Sequence, residues 1–257
     1  MSAPLWLHNL AAYSLQVALL AIVGGLLPYF CRLRLPKARL AYWHLLLAVC
    51  LLLPAIQPWK QTAALAPGAV SVETVTVATA AAPGRRLPAL PEMLLFFLAA
   101  GALARAAWLA AGFGRLRRYR RRAVPLSPLP ASLDHLQSRF GARAEVRLSA
   151  DISSPVTFGF RRPVILLPVQ FPDLDAGLQQ AVACHELLHV RRRDWLFTVL
   201  EEGIRTALWF HPAIWWLLGQ IQLAREQVVD REVVELTRSR DQYLEALLAV
   251  AAAGKAA

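Results

Sequence analysis

The sequence predicts an α+β membrane protein: an N-terminal three-helix transmembrane anchor followed by a mostly helical domain with a small β-sheet. Three observations lead there. Apolar residues make up 57% of the 257 positions and the mean hydropathy is +0.42, both high for a soluble globular domain. The excess is gathered into three runs before residue 114, each long enough to cross a bilayer. After residue 123 the apolar runs shorten and alternate with polar segments, as in a folded domain that builds its own core. The division expected is a membrane domain over 1–114, with spans at about 5–30, 40–59 and 93–113. A basic, Pro-rich linker follows over 115–130, and then a second domain over 131–257.

Leu5 to Phe30 carries no charge. With no basic residues before it and no small-residue cleavage site after it, this run reads as a retained span and not a signal peptide. Arg32, Arg34, Lys37 and Arg39 follow at once, which places that loop in the cytoplasm and the N-terminus outside. Leu40 to Trp59 is the second span, with Trp43 and Trp59 expected as interfacial anchors and His44 as an interfacial side chain. Residues 60–90 read as an exported loop with a short β-like stretch from Val70 to Val77. Met93 to Phe113 is the third span and ends in Arg115, Arg117, Arg118, Arg120, Arg121 and Arg122. Arg105 lies inside it, where an ionisable residue is costly and is expected to pair with a carboxylate of the bundle or to snorkel.

These signals describe a multi-pass protein of a bacterial-type inner (cytoplasmic) membrane whose second domain faces the cytoplasm. The formal charge of +11 falls largely in clusters flanking the apolar runs. There it sets topology and meets anionic lipid, and no nucleic-acid motif accompanies it, so the partner is the lipid bilayer and not nucleic acid. Cys31, Cys50 and Cys184 show no CxxC spacing and imply no disulfide framework. Cys184 reads as a small buried apolar residue.

In the second domain Pro125, Pro128 and Pro130 stiffen the connection, and Ser132 to Phe140 reads as a helix closed by Gly141. Ala144–Leu148, Val156–Phe160 and Val164–Leu167 read as strands. A helix from about Leu178 to Arg193 follows, begun by Pro172 to Asp175, with Arg191 to Arg193 complementing its dipole. Trp195 to Phe210 is a helix too charged to span, interrupted by Glu201, Glu202 and Arg205 and broken by His211-Pro212. Ala213 to about Thr237 is the last, apolar in its first half and charged in its second.

The chemistry centres on His185-Glu186-Leu187-Leu188-His189. Histidines four apart lie on one helical face, where two zinc ligands must sit, and Glu186 between them stands in the general-base position of a metalloprotease. HExxH alone also fits a solvated helix face, but here it lies in a mostly apolar helix, where unpaired imidazoles would be costly. Tetrahedral zinc with one open position needs a third protein ligand. Glu226 is the first choice, with Glu232 and Glu235 competing, and Asp230 one turn beyond Glu226 is placed to accept from a ligand histidine. Asp194 either accepts a ring proton of a ligand histidine or caps the next helix. His211, Arg225 and Arg231 are candidate oxyanion donors. An edge strand through Thr157, Phe158 and Gly159 suits main-chain pairing with an extended substrate. The cofactor expected is one Zn2+ per chain.

Several segments together resemble one family, the BlaR/MecR-type integral-membrane metallopeptidases, which are gluzincins. They are Ser154-Pro155-Val156-Thr157-Phe158-Gly159, Pro163 to Pro168, HELLH followed by Arg192-Arg193-Asp194, Trp209-Phe210-His211-Pro212 with Trp215-Trp216, and Arg225 to Glu232, within roughly residues 115 to 240. The resemblance implies a zincin-like peptidase domain facing the cytoplasm and anchored by the N-terminal spans. Its substrate would be a cytoplasmic or membrane-associated protein, of which a transcriptional repressor is the type implied. Val229 stands where many relatives have cysteine, outside the ligand set. With no SxxK acyl-serine motif in a suitable context and an end at Ala257, antibiotic sensing by this chain alone is not expected. Two other classes compete: a non-catalytic zinc-binding membrane module that binds signalling partners, and a structural membrane protein with an accidental HELLH.

Overall fold

The structure, a computed structural model, describes residues 4–56 and 90–237. Trp59 and the stretch Val70–Val77 lie outside them. The protein is mostly helical. Helices α1 (Leu5–Phe30), α2 (Pro36–Ile56) and α3 (Leu90–Arg122) are each long and apolar enough to cross a membrane. α2 starts before Leu40 because Pro36, with its φ already helical and no N–H to lose, suits a first turn. α3 continues through the basic run to Arg122, since arginine is a good helix former and nothing there opposes the helix.

A sheet and four helices follow: β1 (Val124–Pro125), α4 (Ala131–Phe140), β2 (Glu145–Ser149), β3 (Val156–Phe158), β4 (Val164–Pro168), α5 (Ala176–Arg192), α6 (Asp194–Ala207) and α7 (Pro212–Thr237). The sheet order is β1-β2-β4-β3, with β2 and β4 parallel and both outer pairs antiparallel. β1 was not expected; its Pro125 is tolerated because the strand is an edge. β4 is buried on both faces by its alternation. Val164 and Leu166 pack with Phe158, whereas Ile165 and Leu167 join Leu133, Leu136 and Leu187 from α4 and α5. Gly141, at φ 61°, closes α4 as the sequence implied.

Helix α7 belongs to two cores. Ile214, Leu217, Leu218 and Ile221 of its first half pack among Val17 and Ala21 of α1 and Trp43, Leu47 and Cys50 of α2. Val229 and Val233 of its second half pack against Leu187 and Leu188 of α5. α3 instead lies along α6. Phe113 meets Trp195 edge-on at 6.0 Å, and the Trp209 indole N–H donates to the Leu98 carbonyl at 3.0 Å. The turn between α6 and α7 also reaches α1, where His211 Nε2 sits 3.2 Å from the Ser14 carbonyl. The α6–α7 hairpin is thus inserted among the three spans, with α1 and α2 on one side and α3 on the other. Trp43 accordingly is no interfacial anchor: it is buried and packs edge-on to Trp216 at 5.5 Å. Its partner comes from a helix that a span-by-span reading leaves outside the bundle.

The contact of α3 with the hairpin depends on a missing side chain, because a Cβ on Gly101 would overlap the Trp209 ring. Gly101→Val should destabilise the protein by about 1–3 kcal/mol through overpacking, read as a lower melting temperature in detergent. Gly112→Val, which meets nothing within 4 Å, should leave the melting temperature unchanged or slightly higher.

Candidate metal centre and its cleft

Burial of Leu187 and Leu188 against Val229 and Val233 fixes how α5 and α7 cross, and leaves their polar faces opposed. His185 and His189 therefore meet Glu226. The two Nε2 atoms are 3.1 Å apart, and Glu226 Oε2 is 3.6 Å from each. His185, His189 and Glu226 form a group able to hold a metal ion. Ligand atoms about 2 Å from a tetrahedral ion stand about 3.3 Å from one another, so this spacing fits zinc. The donor set fits too: two ring nitrogens at this distance can share one proton at most, and a carboxylate closes the third side.

Each imidazole has a carboxylate behind its other nitrogen. His189 Nδ1 lies 2.8 Å from Asp194 Oδ2, and His185 Nδ1 lies 3.6 Å from Asp230 Oδ1. Of the two roles open for Asp194, the geometry gives the contact with the histidine. A sharp corner makes it possible. Arg193 takes the left-handed conformation, φ 57°, so that α5 ends and α6 begins with Asp194 turned back toward His189. The charges are tightly coupled. Burial alone would depress His189, but the bonds to Asp194 and Glu226 and nearby negative charge carry it up to about 10. Burial would raise Glu226, yet the two histidines hold it well below the usual carboxylate range. Burial also pushes the Cys184 thiol up to about 11, in keeping with an apolar role.

Glu186 is buried, and its Oε2 accepts a 2.6 Å hydrogen bond from the Thr157 hydroxyl. Thr157 is the middle residue of β3, which pairs with β4 alone among the described strands. The three strand candidates divide by the pleat: Thr157 lines the cleft, Phe158 turns into the core against Trp195, and Gly159, at φ 97°, makes the bend. A Cβ at Gly159 would meet the Arg162 carbonyl at 2.8 Å, so this bend needs glycine.

The cleft has a volume of about 540 Å³ and runs from Thr157, Glu186 and His189 past Glu226 to Glu202 and Arg205. Arg225 is buried in its wall. It is ion-paired with Glu201, hydrogen-bonded to Thr198 Oγ1 at 3.2 Å and 3.9 Å from Asp194. At the far end Glu202 is shared between Arg205 at 2.6 Å and Arg105 at 3.3 Å. Both guanidiniums lie over Trp215, at 5.5 and 5.0 Å. Arg105 thus pairs with a carboxylate, as expected of a charge in an apolar span. His44, read from sequence as interfacial, approaches Glu201 at 3.9 Å.

Of the three candidate oxyanion donors, only Arg225 lines this cleft. His211 lies at the start of α7, about 22 Å along the helix from Glu226, and packs on Tyr13 of α1. Arg231 follows Glu226 by five positions, about 140° around the helix, and pairs with Glu235 at 2.8 Å. Glu232 is likewise turned away, bridging Lys37 and Arg191 at 2.8 and 2.9 Å. What sequence reasoning missed is the α6 wall beyond Asp194. Asp194, Thr198, Glu201 and Arg205 recur at helical spacing and share one face, a polar stripe on a helix otherwise bearing Leu196, Phe197 and Leu200.

Two histidines of a HExxH helix, a carboxylate from a later helix and a free-edged strand, carried on apolar helices, define a membrane metallopeptidase class. Within that class the chain belongs to the BlaR1 peptidase M56 family, which it matches over residues 10–257. It is 32% identical over 97 residues to the regulatory protein BlaR1 of Bacillus licheniformis, covering 38% of this chain and 16% of that protein. It is 27% identical over 106 residues to the methicillin resistance mecR1 proteins of Staphylococcus aureus and Staphylococcus epidermidis, covering 40% of this chain and 18% of each. The matching stretches therefore span less than a fifth of these relatives.

Arg225 joins α7 to α6 through a buried charge pair. Arg225→Met should destabilise the protein by about 3–5 kcal/mol, because Glu201 is left buried without its counter-charge. The double variant Arg225→Met/Glu201→Leu should recover most of the loss. Denaturant or thermal melts of both variants check this.

Proposed function

We propose that this protein is a membrane-anchored zinc endopeptidase that cleaves a cytoplasmic or membrane-associated protein in a regulatory pathway. The observation that carries the reading is the convergence of His185, His189 and Glu226 beside Glu186. These three side chains would hold one zinc ion, which when bound polarises the scissile carbonyl and makes a water nucleophilic near neutral pH.

The chain's own groups supply the rest. Asp194, at 2.8 Å, fixes the ring orientation and tautomer of His189, and Asp230, 3.6 Å behind His185, supplies negative charge there, so that each histidine presents Nε2 to the cleft. Thr157 holds Glu186 Oε2, which leaves the other carboxylate oxygen to take the attacking water's proton and deliver it to the leaving amine. The free edge of β3, at Val156–Phe158, would hold an extended substrate by main-chain hydrogen bonds. The arginines after α1 and at the end of α3 support a cytoplasmic cleft with the N-terminus outside. A transcriptional repressor, cleaved in an antirepressor pathway, is the substrate type the family resemblance favours.

Glu186→Gln should retain zinc in metal analysis and lose cleavage by roughly 10²–10⁴-fold, with uncleaved substrate accumulating in cells. Glu226→Gln and His185→Ala should lose the zinc itself. Zinc bound without any Glu186-dependent cleavage would favour a non-catalytic binding module, and protein that never carries zinc would sink the peptidase reading.

A further inference from the structure

A second cavity, of about 770 Å³, opens where α1 turns into α2, and Arg32, Arg34 and Arg39 line it. Its inner wall is aromatic and apolar, with Trp43, Trp216 and Gly25. None of the three guanidiniums has an ion pair with a carboxylate among the described residues, and Arg39 Nε is buried with no hydrogen-bond partner. Three cations gathered around one hollow repel one another, and a buried donor left unpaired is costly. With Arg32 and Arg34 exposed at its rim and Arg39 deeper, the hollow favours an anion.

The hollow continues into an apolar groove of about 340 Å³ along α1 and α7. The two share Gly25 and Trp216, and the groove is otherwise bordered by Ala18, Ala21, Ile22, Leu26 and Ala213. Gly25 lets the Trp216 ring pack directly on α1 at one end of it, since a Cβ there would come within 2.6 Å of the ring. Arg32, at φ 47°, makes the turn that carries the chain from α1 toward α2 beside the groove's mouth. The arrangement is cations at the end of two spans and a narrow apolar channel running along them. That is the order of groups in a phospholipid, with phosphate at the interface and acyl chain below it.

We infer that this site binds an anionic phospholipid, with its phosphate on Arg32, Arg34 and Arg39 and one acyl chain in the groove between α1 and α7. A free phosphate would use the arginines but not the groove, and a zwitterionic lipid would bring no net charge to them. The occupant would brace α7 at Trp216 and Gln220, on the same helix as Glu226.

The test uses the whole 257-residue chain in nanodiscs or detergent, with phosphatidylglycerol as probe and phosphatidylcholine and inorganic phosphate as controls. Retention of bound lipid is read by native mass spectrometry. Wild type should retain phosphatidylglycerol and not phosphatidylcholine. Arg32→Gln/Arg34→Gln/Arg39→Gln should weaken this on the order of 100-fold, about fivefold per arginine. Ile22→Trp, which fills the groove from an exposed position and leaves the arginines intact, should weaken it by at least tenfold. Each variant is compared with wild type for melting temperature in phosphatidylcholine alone, so that misfolding is not mistaken for lost binding. Equal retention of both lipids by wild type, or undiminished phosphatidylglycerol in the arginine variant, would overturn the inference. Full competition by inorganic phosphate, together with normal binding to Ile22→Trp, would reduce the site to an anion site and overturn the lipid assignment.

Discussion

The crossing of α7 over α5 is the contact on which the rest of the structure depends. Leu187, Leu188, Val229 and Val233 form its apolar side, and their burial turns His185, His189, Glu226 and Asp230 toward one another on the other. The helical repeat does the rest, since residues four apart share a face on both helices. A rotation of either helix by one residue, about 100°, would bury a carboxylate among leucines and expose a valine. The geometry of the candidate metal centre is therefore held by ordinary hydrophobic packing. The two imidazoles lie on the same helix, so their 3.1 Å approach adds nothing to the crossing; across it Glu226 Oε2 stands 3.6 Å from each.

α7 carries this crossing into the membrane bundle, and α6 does the same from the other side. Asp194, behind His189, starts the helix whose far end packs on α3 through Trp209. Glu226 sits on the helix whose near end packs on α1 and α2 through Leu217, Leu218 and Ile221. Arg225 ties the two helices together next to the ligands. The charges this brings among apolar helices are tolerated because they are paired: Glu201 with Arg225, and Glu202 with Arg105 and Arg205. Each pair recovers part of the desolvation cost that a lone charge would bear in full.

Much of this was legible in the sequence where the signal was local. α1 was read with its observed bounds because a long uncharged run ending in arginines has one physical reading. Glu226 and Asp230 were singled out by helical spacing together with the need of the upstream HELLH pair for a third ligand, and they stand 3.6 Å from His185; Gly141 was read from its place after a periodic segment. What escaped was whatever depends on a partner far away in the chain. Trp43 looked like an anchor because nothing near it in sequence shows that Trp216 covers it. Arg231 and His211 stood close to Glu226 in sequence, but angle and axial rise separate them on the helix. β1, two residues long with a proline, exists only because β2 lies beside it.

The same distinction applies to the first half of α7, which the sequence reads only as the apolar part of a helix. Its composition, with Trp215, Trp216, Leu217 and Leu218, fits a buried soluble helix as well as a membrane element, because both bury apolar side chains all round. The choice is made by what the helix packs against, and here that is α1 and α2. A three-span anchor with a separate catalytic domain would leave Ile214, Leu217 and Ile221 exposed, and would leave Trp43 and Cys50 without cover. Sharing α7 removes both problems at once. It also means that neither core is complete without the other half of the chain, so the candidate metal site and the spans are expected to fold as one cooperative unit.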